Sequence, residues 1–115
     1  MIYEQWQVVA VPFRFTDRPV HRRRPAVVVS QPGPLDAVVG HSVLAMITSA
    51  AHRRWPLDVD VTDLAAAGLT AASMVRMKLF TMDDRLVERV AGILSPEDAA
   101  RVAQALTRLF GLPSA

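Results

Sequence analysis

The run Pro25-Ala26-Val27-Val28-Val29-Ser30, cut off at once by Gln31-Pro32-Gly33-Pro34, constrains the fold most. Successive β-branched residues favour extended backbone and leave no polar face, so the run reads as a short strand buried on both sides. Such a strand needs neighbours, and the chain offers several. Trp6 to Val11 reads as a first strand and Ser42 to Thr48, within His41 to Ser49, as a third. Leu57-Asp58-Val59-Asp60-Val61 alternates, which sets Leu57, Val59 and Val61 inward and the aspartates outward. Met74 to Thr81 reads as a long strand and Arg89 to Leu94 as a short last one, with a helical segment as the alternative. Between them, Pro12 to Pro19 reads as a loop, because proline discourages regular pairing. The basic stretch His21 to Arg24 is placed in the loop before the second strand. Leu64 to Leu69 reads as a helical turn closed by Gly68, and Asp83-Asp84-Arg85 as a turn.

One segment has helical period. Ser95 suits an N-cap, Pro96 the first helical position, and Glu97 and Asp98 the positive end of the helix. Val102, Leu106, Leu109 and Phe110 form an apolar stripe, and Gly111 and Pro113 end it. The expected architecture is mainly β with a C-terminal α-helix: a small antiparallel barrel with one packed helix.

The 115 residues make one domain, 1–115, with a thin core that dimerisation would help. There is no cysteine, so disulfides and thiolate metal sites are excluded. The opening Met1-Ile2-Tyr3-Glu4-Gln5 does not read as a signal peptide, and no apolar stretch is long enough to span a bilayer. A cytoplasmic protein without a membrane partner is expected. Charge is distributed unevenly. Residues 1–57 carry seven arginines against three carboxylates, whereas residues 58–115 carry six basic and eight acidic groups. A basic half suggests an anionic partner, most often a nucleic acid, and otherwise a solvated basic face. The three histidines are far apart and the acids do not gather round them, so no metal site is expected. The five glycines are not grouped into a phosphate loop, and no cofactor is expected.

Several blocks, in order, resemble a known family. Val11-Pro12-Phe13-Arg14-Phe15-Thr16-Asp17, His21 through Ser30, Met46-Ile47-Thr48-Ser49, Gly68-Leu69, Ser73-Met74-Val75-Arg76, Lys78-Leu79-Phe80-Thr81, Arg85-Leu86 and Gly92-Ile93-Leu94-Ser95 are similar to the motifs of MazF/PemK-like toxins. The resemblance extends from about Val8 to Leu112. It implies an SH3-like barrel, a two-fold homodimer, an endoribonuclease acting on single-stranded RNA without metal, and an acidic antitoxin that restrains it. It also implies that Arg24 and Thr48 are the main catalytic residues. Two departures are Trp6-Gln7 in place of a frequent Gly-Asp, and Arg76-Met77-Lys78 where some members carry an acid that serves as base.

Without a metal, the ribose 2′-hydroxyl is the nucleophile, and negative charge gathers on the phosphoryl oxygens. The planar fork of Arg24 suits those oxygens, and the Thr48 hydroxyl adds one donor. A histidine is the natural base near neutral pH. His21 is the first candidate, ahead of His41; a surface or capping role is the alternative for each. His52 beside Arg53-Arg54 reads as a phosphate contact or as nothing. Arg14, Arg18, Arg22, Arg23, Arg53 and Arg54 are expected to track phosphates, with Ser49 beside them. Phe15 and Trp55 are candidates for stacking on bases; Phe13 and the methionines at 46, 74, 77 and 82 read as core. Two other functions remain open. One is an SH3-like nucleic-acid-binding module without catalysis. The other is a gyrase poison of the CcdB type, which the lack of a C-terminal tryptophan disfavours.

Overall fold

In the computed structural model the described residues are 2–14, 21–33 and 35–113. Six strands are formed: β1 Gln7–Arg14, β2 His21–Val28, β3 His41–Ser49, β4 Val59–Asp60, β5 Ser73–Asp83 and β6 Arg89–Ile93. They pair antiparallel in the order β4-β5-β3-β2-β1-β6 and curl into a half-barrel. The helices are α1 Asp36–Val39, α2 Leu64–Ala67 and α3 Pro96–Phe110, and a single 3-10 turn spans Asp84–Leu86.

The valine run of β2 is buried on both faces, as its pattern predicts. Val27 and Val29 join Val8, Ala45, Ile47 and Val75 in a core that includes Ala99, Val102 and Ala105 of α3. Ala26 and Val28 point the other way, into a second cluster with Tyr3, Val9, Val11, Leu44 and Met46. The sheet therefore has a helix-covered face and an opposite face, and even-numbered residues of β2 and β3 lie on the second.

Four expectations about the elements need correction. β1 runs through Pro12 to Arg14 and pairs with His21, Arg22 and Arg23, so neither stretch is a loop. β6 pairs with β1 only from Gln7 to Ala10, which leaves Pro12 on an edge segment where a missing N–H is tolerated. The alternating segment 57–61 forms strand only at Val59–Asp60. Leu57 adopts φ +70°, outside strand geometry, within a turn that the Asp58 N–H closes by donating to the Trp55 carbonyl at 3.2 Å. In α3, Leu106 is partly buried but Leu109 and Phe110 are exposed, so the apolar stripe outruns the core. Finally, the short α1 was not expected from the pattern.

The caps of α3 follow expectation. The Ser95 hydroxyl accepts the Asp98 N–H, and Gly111 closes the helix at φ +66°. Asp98 does more than favour the helix end. It is buried and accepts from Thr62 N–H at 2.9 Å, Thr62 O–H at 2.7 Å and Asp63 N–H at 3.0 Å, and it pairs with Arg101. Burial pushes its carboxyl up, but these donors and Arg101 outweigh burial and hold it below the usual carboxylate range. This carboxylate ties α3 to the segment between β4 and α2.

Two glycines let α2 approach β6. A Cβ at Gly92 would lie 2.3 Å from the Ala66 carbonyl oxygen, and one at Gly68 would lie 2.1 Å from that of Ala91. Backbone-to-backbone contact of this kind excludes any side chain.

Candidate active site

Arg24 lies on β2 opposite Val11 of β1. On its other side, β2 pairs with β3 with Ala26 opposite Met46, and continuing that register sets Arg24 across from Thr48. Both are half-buried and both lie on the sheet face away from α3. Arg24 and Thr48 line a pocket of about 160 Å³ together with Met46 and Ile47 of β3. His52 and Trp55, from the segment after β3, and Arg76 and Lys78 of β5 complete the wall.

The β5 side chains reach the pocket through an irregular register. Ala45 of β3 opposes Leu79, yet Ile47 opposes Val75. Three β5 residues, Arg76, Met77 and Lys78, therefore face the single Met46. Extra residues on one strand bend it and re-aim its side chains. Here the bulge delivers two cations, Arg76 and Lys78, into the pocket that contains Arg24.

Thr48 is tied to His52. The Thr48 Oγ1 and His52 Nδ1 are 2.7 Å apart, a hydrogen bond whose direction follows the ring tautomer. A tight turn makes the contact possible. The His52 N–H donates to the Ser49 carbonyl at 3.1 Å, and the Ala51 N–H donates to Ser49 Oγ at 3.1 Å. The Ala50 N–H donates to the Ala72 carbonyl at 2.9 Å, which anchors the turn beside β5. Ser49 thus shapes the turn. The imidazole itself is exposed.

Opposite, Asp58 holds Arg76 and the start of the Trp55 segment together. Arg76 donates Nε to Oδ1 at 3.2 Å and Nη2 to Oδ2 at 2.9 Å, and it also donates Nη2 to the Arg53 carbonyl at 2.7 Å. The Trp55 N–H donates to Asp58 Oδ2 at 2.7 Å. The Arg76 guanidinium sits 4.3 Å from the centre of the Trp55 ring, in cation–π geometry. The Asp58 carboxylate is fully covered, contrary to its expected outward position; the turn at Leu57 reverses its side. Burial pushes its carboxyl up, but the Arg76 hydrogen bond, the Trp55 N–H and the charges of Arg76 and Arg54 together hold it below the ordinary range. Asp58 is therefore ionised and its oxygens are occupied, while Trp55 keeps 47% of its surface open.

The remaining sequence candidates are dispersed. Arg23 pairs with Glu88 on the surface beside Arg24. Arg53 is exposed beside the pocket. Arg54 turns away: it donates to Asp60 Oδ1 at 2.9 Å, to the Asp58 carbonyl at 3.2 Å and to Met74 Sδ at 3.3 Å. It lines a separate groove of about 350 Å³ with Arg101 and Arg108 of α3. His41 lies at the other end of β3 from Thr48, about 23 Å away along the strand. Its Nδ1 is 2.7 Å from the Val39 carbonyl, so it is removed from the pocket. Phe15 and Arg18 lie outside the described residues, and the side chains of Arg14, His21 and Arg22 lie outside those described. Among the described residues no group of three or more His, Asp or Glu could hold a metal ion. Sequence reasoning missed His52, Arg76, Lys78 and Asp58 as members of one site. The signals that could have found them are the position of Arg76-Met77-Lys78 where some similar toxins carry an acid, and the four-residue spacing of Thr48 and His52 across a turn begun by Ser49.

Comparison with known proteins bears on the family and the fold. A family model described as PemK-like, MazF-like toxin of type II toxin–antitoxin system matches residues 4–110. A MazE–MazF complex from Deinococcus radiodurans superposes with a TM-score of 0.77 at 19% identity, covering 98% of this chain and 100% of that one. An endoribonuclease in complex with its cognate antitoxin from a mycobacterial species gives 0.74 at 15% identity, over 98% and 97%. The Mycobacterium tuberculosis toxin MazF-mt6 gives 0.71 at 20% identity, over 94% and 99%. At these identities the superpositions establish the fold. No curated relative matches the sequence.

Proposed function

Because the chain belongs to the PemK-like, MazF-like toxins of type II toxin–antitoxin systems, we propose that it cleaves single-stranded RNA at the Arg24–Thr48 pocket without a metal ion. The observation that carries this reading is the meeting of Arg24 and Thr48 across adjacent strands, in a pocket that Arg76 and Lys78 make cationic. The ribose 2′-hydroxyl attacks the adjacent phosphorus, leaving a 2′,3′-cyclic phosphate and a 5′-hydroxyl. The guanidinium of Arg24 and the hydroxyl of Thr48 donate to the phosphoryl oxygens as charge builds on them. Lys78 holds a flanking phosphate, Arg76 steadies the Trp55 ring, and the open part of that ring takes an unstacked base. Arg53, exposed next to His52 in sequence, extends the phosphate track.

Relatives of this fold are known as a MazE–MazF complex and as an endoribonuclease bound to its cognate antitoxin. By the same logic an acidic antitoxin segment binds here, with its carboxylates against the cations of the pocket and rim. A homodimer in the cytoplasm completes the reading; no described helix is long and apolar enough to cross a membrane.

The test is incubation of purified protein with a long RNA in excess chelator, followed by mapping of the 5′ ends. Discrete fragments with 5′-hydroxyl ends are expected. Cleavage that appears only with added divalent ions refutes the mechanism.

A further inference from the structure

Transfer of the nucleophile's proton needs a base, and the pocket offers few. Among the described residues no carboxylate lines it, and Asp58, which pairs with Arg76 there, is buried with both oxygens engaged. Arginine and lysine side chains offer donors and no acceptor. His41 is at the far end of β3. His52 alone among the described histidines lines the pocket.

We propose that His52 is the catalytic base that takes the 2′-hydroxyl proton through Nε2, and that Thr48 positions its ring. The inference rests on the ribonuclease reading above. In the tautomer this requires, Nδ1–H donates to Thr48 Oγ1 across the 2.7 Å contact. That hydrogen bond leaves Nε2 with its lone pair and leaves the Thr48 proton to donate to a phosphoryl oxygen, so one contact equips both residues. The Ser49 turn supplies the rigidity, since backbone and side-chain hydrogen bonds set the position of residues 50–52 before RNA arrives. Among the described residues Nε2 makes no hydrogen bond, and the exposed ring is open to a ribose.

The step balances without a co-reactant. The 2′ oxygen forms its bond to phosphorus as its proton passes to Nε2. The bond from phosphorus to the 5′ oxygen breaks, and that oxygen keeps the electron pair and takes a proton from solvent. The imidazolium then returns its proton to solvent. Among the described residues, the charged groups that share the pocket with the ring are Arg24 from β2 and Arg76 and Lys78 from β5, with Asp58 paired to Arg76.

The test is single-turnover cleavage of one defined RNA in chelator across pH, using the wild type, His52→Gln, His21→Gln and His41→Gln. His52→Gln should lose about 10²–10⁴ in rate, the usual contribution of a positioned acid or base. Its affinity for a 2′-deoxy analogue should hold. The wild-type rate should rise with pH and level off, whereas His52→Gln should lose the levelling. Imidazole added to His52→Gly should restore part of the rate, and His41→Gln should cleave like the wild type. Wild-type rate and pH profile in His52→Gln, or the same loss in His21→Gln instead, overturn the assignment of His52. A wild type inert in chelator overturns the ribonuclease reading and this assignment together.

Discussion

Replacing Asp58 with alanine tests how the site is held. The carboxylate is fully covered, its partner Arg76 is 11% exposed at the side chain, and three hydrogen bonds converge on it. Removing one member of a buried ion pair leaves the other charge desolvated and unpaired, which costs about 3–5 kcal/mol. Total stability for a domain is about 5–15 kcal/mol, so the loss is a large share. The comparison is Asp60→Ala, which removes a pair with Arg54 in which the side chains are 58% and 55% exposed. Pairs so open to solvent contribute about 0–1 kcal/mol. Urea unfolding of both variants at neutral pH gives the two losses directly. The pH dependence adds a second check. The folded carboxyl titrates below its unfolded value, so its contribution is complete above about pH 4 and is lost as pH falls through the folded value. The gap between wild type and Asp58→Ala should therefore narrow on acidification. Without Asp58, Arg76 retains only the Arg53 carbonyl and the Trp55 ring, so affinity for a 2′-deoxy RNA analogue should fall as well. A loss below about 1 kcal/mol that does not change with pH would refute the reasoning.

Three further predictions follow from single contacts. Arg24→Ala should remain folded by circular dichroism and lose at least about 10²–10³ in single-turnover cleavage, the typical cost of one preorganised donor. Arg24→Lys should also be severely impaired because it lacks the planar fork, and cleavage by folded Arg24→Ala at the wild-type rate would remove Arg24 from the mechanism. Gly92→Ala should destabilise the fold by about 1–3 kcal/mol or more in urea, because its Cβ meets backbone atoms of Ala66 and Ala67 that cannot swing aside; unchanged stability would contradict the close approach of α2 and β6. The Asp83 carboxyl, which the Arg85 side chain and backbone N–H hold at about 2, should titrate nearer 3.9 in Arg85→Ala when followed by NMR. An unaltered titration there would show that the Arg85 contact does not persist in solution.

Local pattern determined much of this protein. The unbroken valine run of β2 required cover on both faces, and it received it. The Ser95 cap, Pro96 and Gly111 bounded α3 because capping depends on residues a few positions apart. Arg24 and Thr48 were legible through the resemblance of their blocks, and continuing the β2–β3 register puts them opposite each other. Tertiary structure decided the remainder of the site. Alternation placed Asp58 outward, but a left-handed residue at Leu57 turned it into the interior, and periodicity carries no information about where a chain leaves its period. Arg76 and Lys78 share the pocket because β5 has extra residues opposite Met46, a mismatch between two strands distant in sequence. His52 reaches the candidate site only because the Ser49 turn folds it back onto Thr48. Strand patterns specify which side chains share a face; bulges, turns and register between strands specify which of them meet, and those depend on partners outside the local segment.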